Sequence, residues 1–180
     1  MAKKIVNELE MEFYRKAQAK RLKQAEIFLL WGVDIDDCEG RITSGFIEDL
    51  EPNQIFVFGS NLAGKHGKGA AKLAAQKFGA QYGKGEGLHM QSYALPTKNF
   101  AIKTLPLDKI KGYVDRFIKV AEINPKLTFL VTEIGCGLAG YTPEDIAPMF
   151  EDAIRLENVH LPLSFWQVLG KMKINKNEER

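Results

Sequence analysis

Residues 54–69 read QIFVFGSNLAGKHGKG, and this stretch restricts the fold more than any other part of the chain. Residues 55–58 are apolar without a break, as in a strand covered on both faces, and the run stops at Gly59, Ser60 and Asn61. Glycines at 59, 64, 67 and 69 let the backbone turn back, and residues 70–78 (AAKLAAQKF) then read as a helix stopped by Gly79. Strand, glycine loop and helix make the geometry in which main-chain N–H groups and a helix N-terminus converge on an anion.

The device occurs twice. Residues 127–134 (LTFLVTEI) predict another mostly apolar strand, followed by Gly135, Cys136, Gly137, Leu138, Ala139 and Gly140. Thr142, Pro143 and the acidic pair Glu144 and Asp145 then give an N-cap, a proline at N1 and an acidic N3, with Ile146, Met149, Phe150, Ala153 and Ile154 turned inward. Parallel strands that each end in a glycine loop place both loops at one edge of a sheet, where open α/β folds bind ligands. The two loops are expected to pinch one phosphate-bearing ligand.

The rest of the chain fills in an α/β pattern. Residues 1–30 carry an apolar stripe (Ile5, Leu9, Phe13, Ala17, then Leu22, Phe28 and Leu29) and predict an N-terminal helix that packs on the domain or on a second copy of itself. Asp34, Asp36 and Asp37 read as a turn, because an EF-hand's glycine and closing glutamate are missing. Residues 41–53 read as a connector with an apolar patch at Phe46 and Ile47, and 79–87 (GAQYGKGEG) as a mobile loop, either a lid or a long surface turn. Residues 92–95 predict a short strand closed by Pro96 to Asn99. Asp108 is the expected cap of a helix with Ile110, Val114, Phe117, Ile118 and Ala121 inward, stopped by Asn124 and Pro125; residues 159–163 predict a last strand.

A length of 180 residues suits one domain with an appendage, and a net charge of +2 gives no global field for nucleic acid. Residues 3–23 hold seven basic against three acidic residues, and the tail from Lys171 is also basic; both read as solvated faces. Two cysteines, Cys38 and Cys136, cannot make a disulfide framework, and without a signal-like start or a long apolar run the expected setting is the cytoplasm, with no membrane contact.

Gly59, Gly64 and Lys65 fit a P-loop until His66 stands where a magnesium-binding Ser or Thr is required, so a P-loop-like nucleotide-binding protein is a lesser alternative. His66, His89 and His160 lack partners at zinc-like spacing, and neither a metal nor a cofactor is expected. Cys136 reads as a small residue beside a phosphate more than as a thiolate activated by a helix N-terminus.

Asn61 after an apolar strand, the small run Gly67-Lys68-Gly69-Ala70-Ala71, and above all Ile134-Gly135-Cys136-Gly137-Leu138-Ala139-Gly140-Tyr141 resemble the macrodomain superfamily, which binds ADP-ribose. The resemblance covers residues from about 50 to 168 and implies a three-layer α/β/α fold with a mixed central sheet, an N-terminal helical extension over 1–45, the domain over 46–170 and a basic tail over 171–180. It implies that Asn61 hydrogen-bonds the distal ribose, that Gly67, Gly69 and Ala70 approach that sugar, and that residues 135–141 wrap the diphosphate. Gly59 and Ser60 lead into the first of these loops.

The stretch Tyr93-Ala94-Leu95-Pro96-Thr97-Lys98 looks most like the lysine-dependent ADP-ribosylglycohydrolase branch, in which a lysine attacks the anomeric carbon and an acid in the second loop assists. Lys98 matches the lysine, whereas Ala139 stands at the acid, with Glu133 and His66 as candidate substitutes. Lys98 is therefore either a nucleophile or a cation balancing the diphosphate. The adenine-selecting aspartate of the family has no match at the same spacing, although Glu48 and Asp49 are near. Tyr141 or Trp166 reads as a stacking ring or as packing. The implied partner is ADP-ribose or an ADP-ribosylated macromolecule, protein or DNA, hydrolysed or only read; some other phosphorylated ligand on the same fold is the remaining option.

Overall fold

The structure is a computed structural model and describes Cys38 and residues 40–178. In chain order its elements are β1 (Ile42–Thr43), β2 (Gln54–Asn61), α1 (Gly69–Lys77), β3 (Gly87–His89), β4 (Ser92–Lys98), α2 (Leu107–Ile123), β5 (Thr128–Val131), α3 (Pro143–Ile146), a 3-10 helix (Ala147–Arg155), β6 (Val159–Pro162) and α4 (Leu163–Glu178). The six strands form one mixed sheet in the order β1-β6-β5-β2-β4-β3, parallel throughout except that β3 runs antiparallel to β4. The expected N-terminal helix, its possible role in a homodimer and the turn at Asp34 to Asp37 lie outside the described residues.

β2 explains the layering. Its successive side chains point to opposite faces: Ile55 and Val57 join the larger core with residues of α2, the 3-10 helix and α4, while Phe56 and Phe58 join a smaller core against α1. An unbroken apolar run is what a strand buried on both sides requires, so helices cover both faces of the sheet. In the larger core Phe117 stands edge-on to Tyr93 and Phe129, with ring centroids 5.1 and 5.5 Å apart. On the other face Ala71 and Ala74 are the buried residues of α1, small enough to bring the helix close to the phenylalanine layer.

Several boundaries differ from the sequence reading. The connector at 41–53 contains β1, paired with β6, so the sheet begins before residue 46. Arg41 anchors it by donating to the carbonyls of Ile154 and Leu156 and accepting from Trp166 Nε1 at 3.1 Å. Phe46 is exposed. β4 runs to Lys98 through Pro96, since β3 begins at Gly87 opposite Ala94 and no ladder partner is lost on that side. β5 ends at Val131, where the Thr132 amide closes the ladder by donating to Val57 O and the Thr132 hydroxyl donates to the same oxygen.

The N-cap of α2 is Pro106, and Asp108 lies in the first turn, favourable to the helix dipole rather than capping it. Thr142 and Asp145 do form a capping box, yet the helix tightens to 3-10 geometry after Ile146, where Pro148 has no N–H for an α-helical bond. α4 continues into the basic tail as far as Glu178. Among the described residues, no helix is long and apolar enough to cross a membrane.

Candidate functional site

β4, β2 and β5 are parallel neighbours, so the segments leaving their C-terminal ends share one edge of the sheet. After β2 the chain passes to α1 on the face of Phe56 and Phe58; after β5 it passes to α3 and the 3-10 helix on the face of Ile55 and Val57. Connections that diverge to opposite faces open a crevice between the two strands. At its base the glycine loops meet: a Cβ on Gly59 would lie 3.7 Å from Gly135 N and 3.6 Å from Thr97 Oγ1.

The glycines separate into two groups. Gly69, Gly135 and Gly140 have φ of +54°, +80° and +84°, a left-handed backbone that disfavours other residues. Gly64 and Gly85 are required by packing, since a Cβ would overlap the main chain of residues 83–84 and of Asn61, respectively. At Gly67 and Gly137 neither reason applies, because φ is not positive and a Cβ would meet nothing within 4 Å; at Gly59 its contacts would be ordinary. The fold alone does not demand glycine at these three positions, and their bare backbone leaves room for close approach of a ligand.

Main-chain donors are free where a phosphate would need them. In the second loop Cys136, Gly140 and Tyr141 donate to Glu133, Gly137 and Gly135, but the N–H groups of Gly137, Leu138 and Ala139 have no acceptor among the described residues. Beyond the first loop α1 begins without a side-chain cap, since Lys68 occupies the cap position and the first turn has no acidic residue. An uncapped helix start and a run of unused amides make an anion-binding arrangement.

The first loop is braced from within and from beneath. Asn61 Nδ2 donates to Lys65 O at 2.8 Å and Asn61 Oδ1 accepts from Lys65 N at 3.0 Å, leaving one N–H and one lone pair for any ligand. Ser60 Oγ donates to Gly85 O, and Gly83 N to Gly64 O. Buried His66 has Nε2 3.1 Å from both Gln81 O and Lys84 O, which makes it the protonated nitrogen, while Nδ1 is buried without a partner. The segment 79–87, expected to be mobile, is thus bonded down onto the first loop, and Glu86 adds an ion pair to Arg116 of α2. Ser60 Oγ and His66 Nε2 thus serve the brace. Gly85→Ala is expected to lower stability by about 2–3 kcal/mol by forcing these segments apart, seen as a fall in the thermal midpoint of roughly 5–10 °C; an unchanged midpoint would contradict the brace.

In the second loop Leu138 is exposed and Ala139 half-buried, with Ala139 O accepting from Thr104 Oγ1 at 3.0 Å. Tyr141 is tied into the packing, its hydroxyl donating to Leu105 O at 2.7 Å, and Trp166 is core, so neither ring stands free to stack. Burial, with Glu133, Asp145 and Glu144 nearby, pushes the Cys136 thiol up to about 11, opposite to activation by a helix N-terminus. Alkylation of Cys136 by iodoacetamide at pH 8 is expected to be roughly 100-fold slower than that of an ordinary cysteine, as read by peptide mapping; an equal rate would refute this.

No family model matches the chain, and no curated protein and no solved structure matches it. A functional reading therefore stands on the geometry.

Lys98 closes the third side of the crevice. It pairs in register with Asn61, its carbonyl accepts from Leu62 N, and it bridges to Thr104, whose hydroxyl holds Ala139. No carboxylate lies within 4.0 Å of its amine among the described residues. Of the two residues read as candidate substitutes for the acid that the resemblance implies, Glu133 is exposed and accepts from Ser164 Oγ at 2.6 Å, and His66 Nε2 is used in the brace. Thr97 and Thr104, which join the three segments, escaped the sequence reading because single threonines carry no periodic signal.

Proposed function

We propose that this chain binds ADP-ribose, or a closely related nucleoside diphosphate sugar, in the crevice between its two glycine loops, in the manner of a macrodomain. The observation that carries the reading is the run of unused N–H groups at residues 137–139, flanked by glycine at a position the fold leaves open. The diphosphate sits on those amides and on the start of α1, and the distal ribose lies toward Gly67, Gly69 and Ala70, with the remaining donor of Asn61 beside it. Lys98 supplies the balancing cation. A reducing, cytoplasmic setting belongs to the same proposal, consistent with two free thiols.

The uncommitted amine of Lys98 favours a second reading, hydrolysis of an ADP-ribosyl bond. The amine would attack the anomeric carbon, the linkage oxygen would leave with a proton, and water would then release the sugar. Against it stands the absence of a free carboxylate near Lys98, so binding without turnover is the leading form. Calorimetric titration with ADP-ribose and with ATP, each with and without magnesium, tests the proposal: magnesium-independent binding of ADP-ribose is expected, and magnesium-dependent binding of ATP alone would overturn it.

A further inference from the structure

The turn after Lys98 is built against local preference. Of the two non-glycine residues with positive φ among the described residues, Met90 and Ile102, only Ile102 is β-branched, and its φ of +61° is a conformation that such a side chain resists. Two places before it Phe100 is 71 % exposed, and Ile102 itself is 39 % exposed, so burial does not offset the strain. A single exposed ring on a protein surface needs no explanation. One carried on a strained turn does, because such strain persists only where surrounding bonds enforce it, and it gathers at ligand sites.

The enforcing bonds are in place. Asn99 Oδ1 accepts from Ala101 N at 2.9 Å and from Lys103 N at 3.0 Å, Asn99 N donates to Lys103 O at 2.8 Å, and Ile102 N donates to Asn99 O at 3.0 Å. At its base the turn is tied to both glycine loops: Lys98 pairs in register with Asn61 and bridges to Thr104, and Thr104 Oγ1 donates to Ala139 O. Phe100 therefore stands on a fixed post at the β4 side of the crevice, two residues beyond the lysine that lies beside Asn61. In the functional reading above this is the sugar end of the ligand, where Gly67 and Gly69 leave room. A sugar ring has an apolar face of C–H groups between its hydroxyls, and an aromatic side chain already held in place covers such a face with little loss of freedom. Main-chain amides and a lysine recognise phosphate whatever is attached to it, whereas a ring beyond them meets what is attached.

We infer that Phe100 is a specificity-determining residue: held out by the turn over residues 99–103, it covers the terminal sugar of the bound nucleoside diphosphate sugar and so separates that ligand from the bare nucleoside diphosphate. This rests on the cradle reading for the place of the diphosphate, and deepens it by assigning the discrimination between the two ligands to one side chain.

The test is calorimetric titration of the full chain with ADP-ribose and with ADP. The wild type is expected to bind ADP-ribose more tightly than ADP, and Phe100→Ala to weaken ADP-ribose roughly tenfold while leaving ADP within about twofold. Phe100→Trp should keep the preference and show an indole emission shift with ADP-ribose that ADP does not evoke. Ile102→Gly, which accepts the left-handed backbone, is expected not to lower the thermal midpoint and yet to weaken ADP-ribose about threefold, because the ring loses its fixed post. Equal losses for both ligands in Phe100→Ala, no loss for either, or an indole shift that ADP evokes as strongly would overturn the assignment and leave the cradle standing. A wild type that gives no heat with either ligand would sink the cradle reading, and this assignment with it.

Discussion

Gly137→Ala is expected to weaken ADP-ribose binding by roughly 10- to 100-fold, the equivalent of one or two charge-assisted hydrogen bonds, while the thermal midpoint moves by less than about 2 °C. The separation of the two effects follows from the geometry. A methyl group at position 137 strains nothing, because φ is not positive and the space around it is empty. It stands instead among the N–H groups of residues 137–139, where it would hold a phosphate oxygen beyond hydrogen-bond reach. Gly140→Ala is the matching control, since φ of +84° puts the new residue in a left-handed conformation that costs about 1–2 kcal/mol of stability. Affinity unaffected by Gly137→Ala would mean that the second loop does not touch the ligand.

Ala139→Asp is expected to raise release of ADP-ribose from an ester-linked substrate by about 100-fold or more, the usual contribution of a placed general acid or base. Ala139 is half-buried, and its carbonyl is tied through Thr104 to the end of β4, so position 139 and Lys98 belong to one bonded unit. The substitution places a carboxylate within the second loop itself, whereas Glu133 lies before that loop and accepts from Ser164, and His66 Nε2 holds the brace. Adding Lys98→Ala to Ala139→Asp should abolish the gain. No increase, or an increase that survives removal of Lys98, would remove lysine-dependent hydrolysis from consideration.

How far the fold was legible depended on how far each element repeats a pattern. β2 and α2 were readable because burial on both faces, or on one helical face, leaves a run or a 3.6-residue rhythm in the residues; Ile110, Val114, Phe117, Ile118 and Ala121 are all buried as that rhythm requires. β1 was invisible, since two residues have no period, and its place is set by Arg41 and Trp166 from distant parts of the chain. Pro96 concealed the end of β4 because the relief it needs comes from where β3 begins, a tertiary fact. The capping box at Thr142 was legible, whereas the tightening to 3-10 geometry at Pro148 was not.

The candidate site shows the same division. Both glycine loops were found from composition, and their meeting at Gly59 and Gly135 follows from strand order. Which glycines serve the fold and which leave space for a ligand could not be read from sequence, because Gly85 and Gly67 look alike until Asn61 is seen pressed against one and nothing against the other. The mobile loop expected at 79–87, a lid or a long surface turn, is a brace for a similar reason: His66, Ser60 and Gly64 hold it through carbonyl and amide contacts that any sequence can provide.

The measurement that bears most directly on the shared cradle is a crystal structure of the chain with ADP-ribose. The diphosphate is predicted to lie about 2.7–3.2 Å from the main-chain nitrogens of residues 137–139, with the distal sugar against Gly67 to Ala70. A ligand held by one loop only, or bound elsewhere on the molecule, would contradict the account.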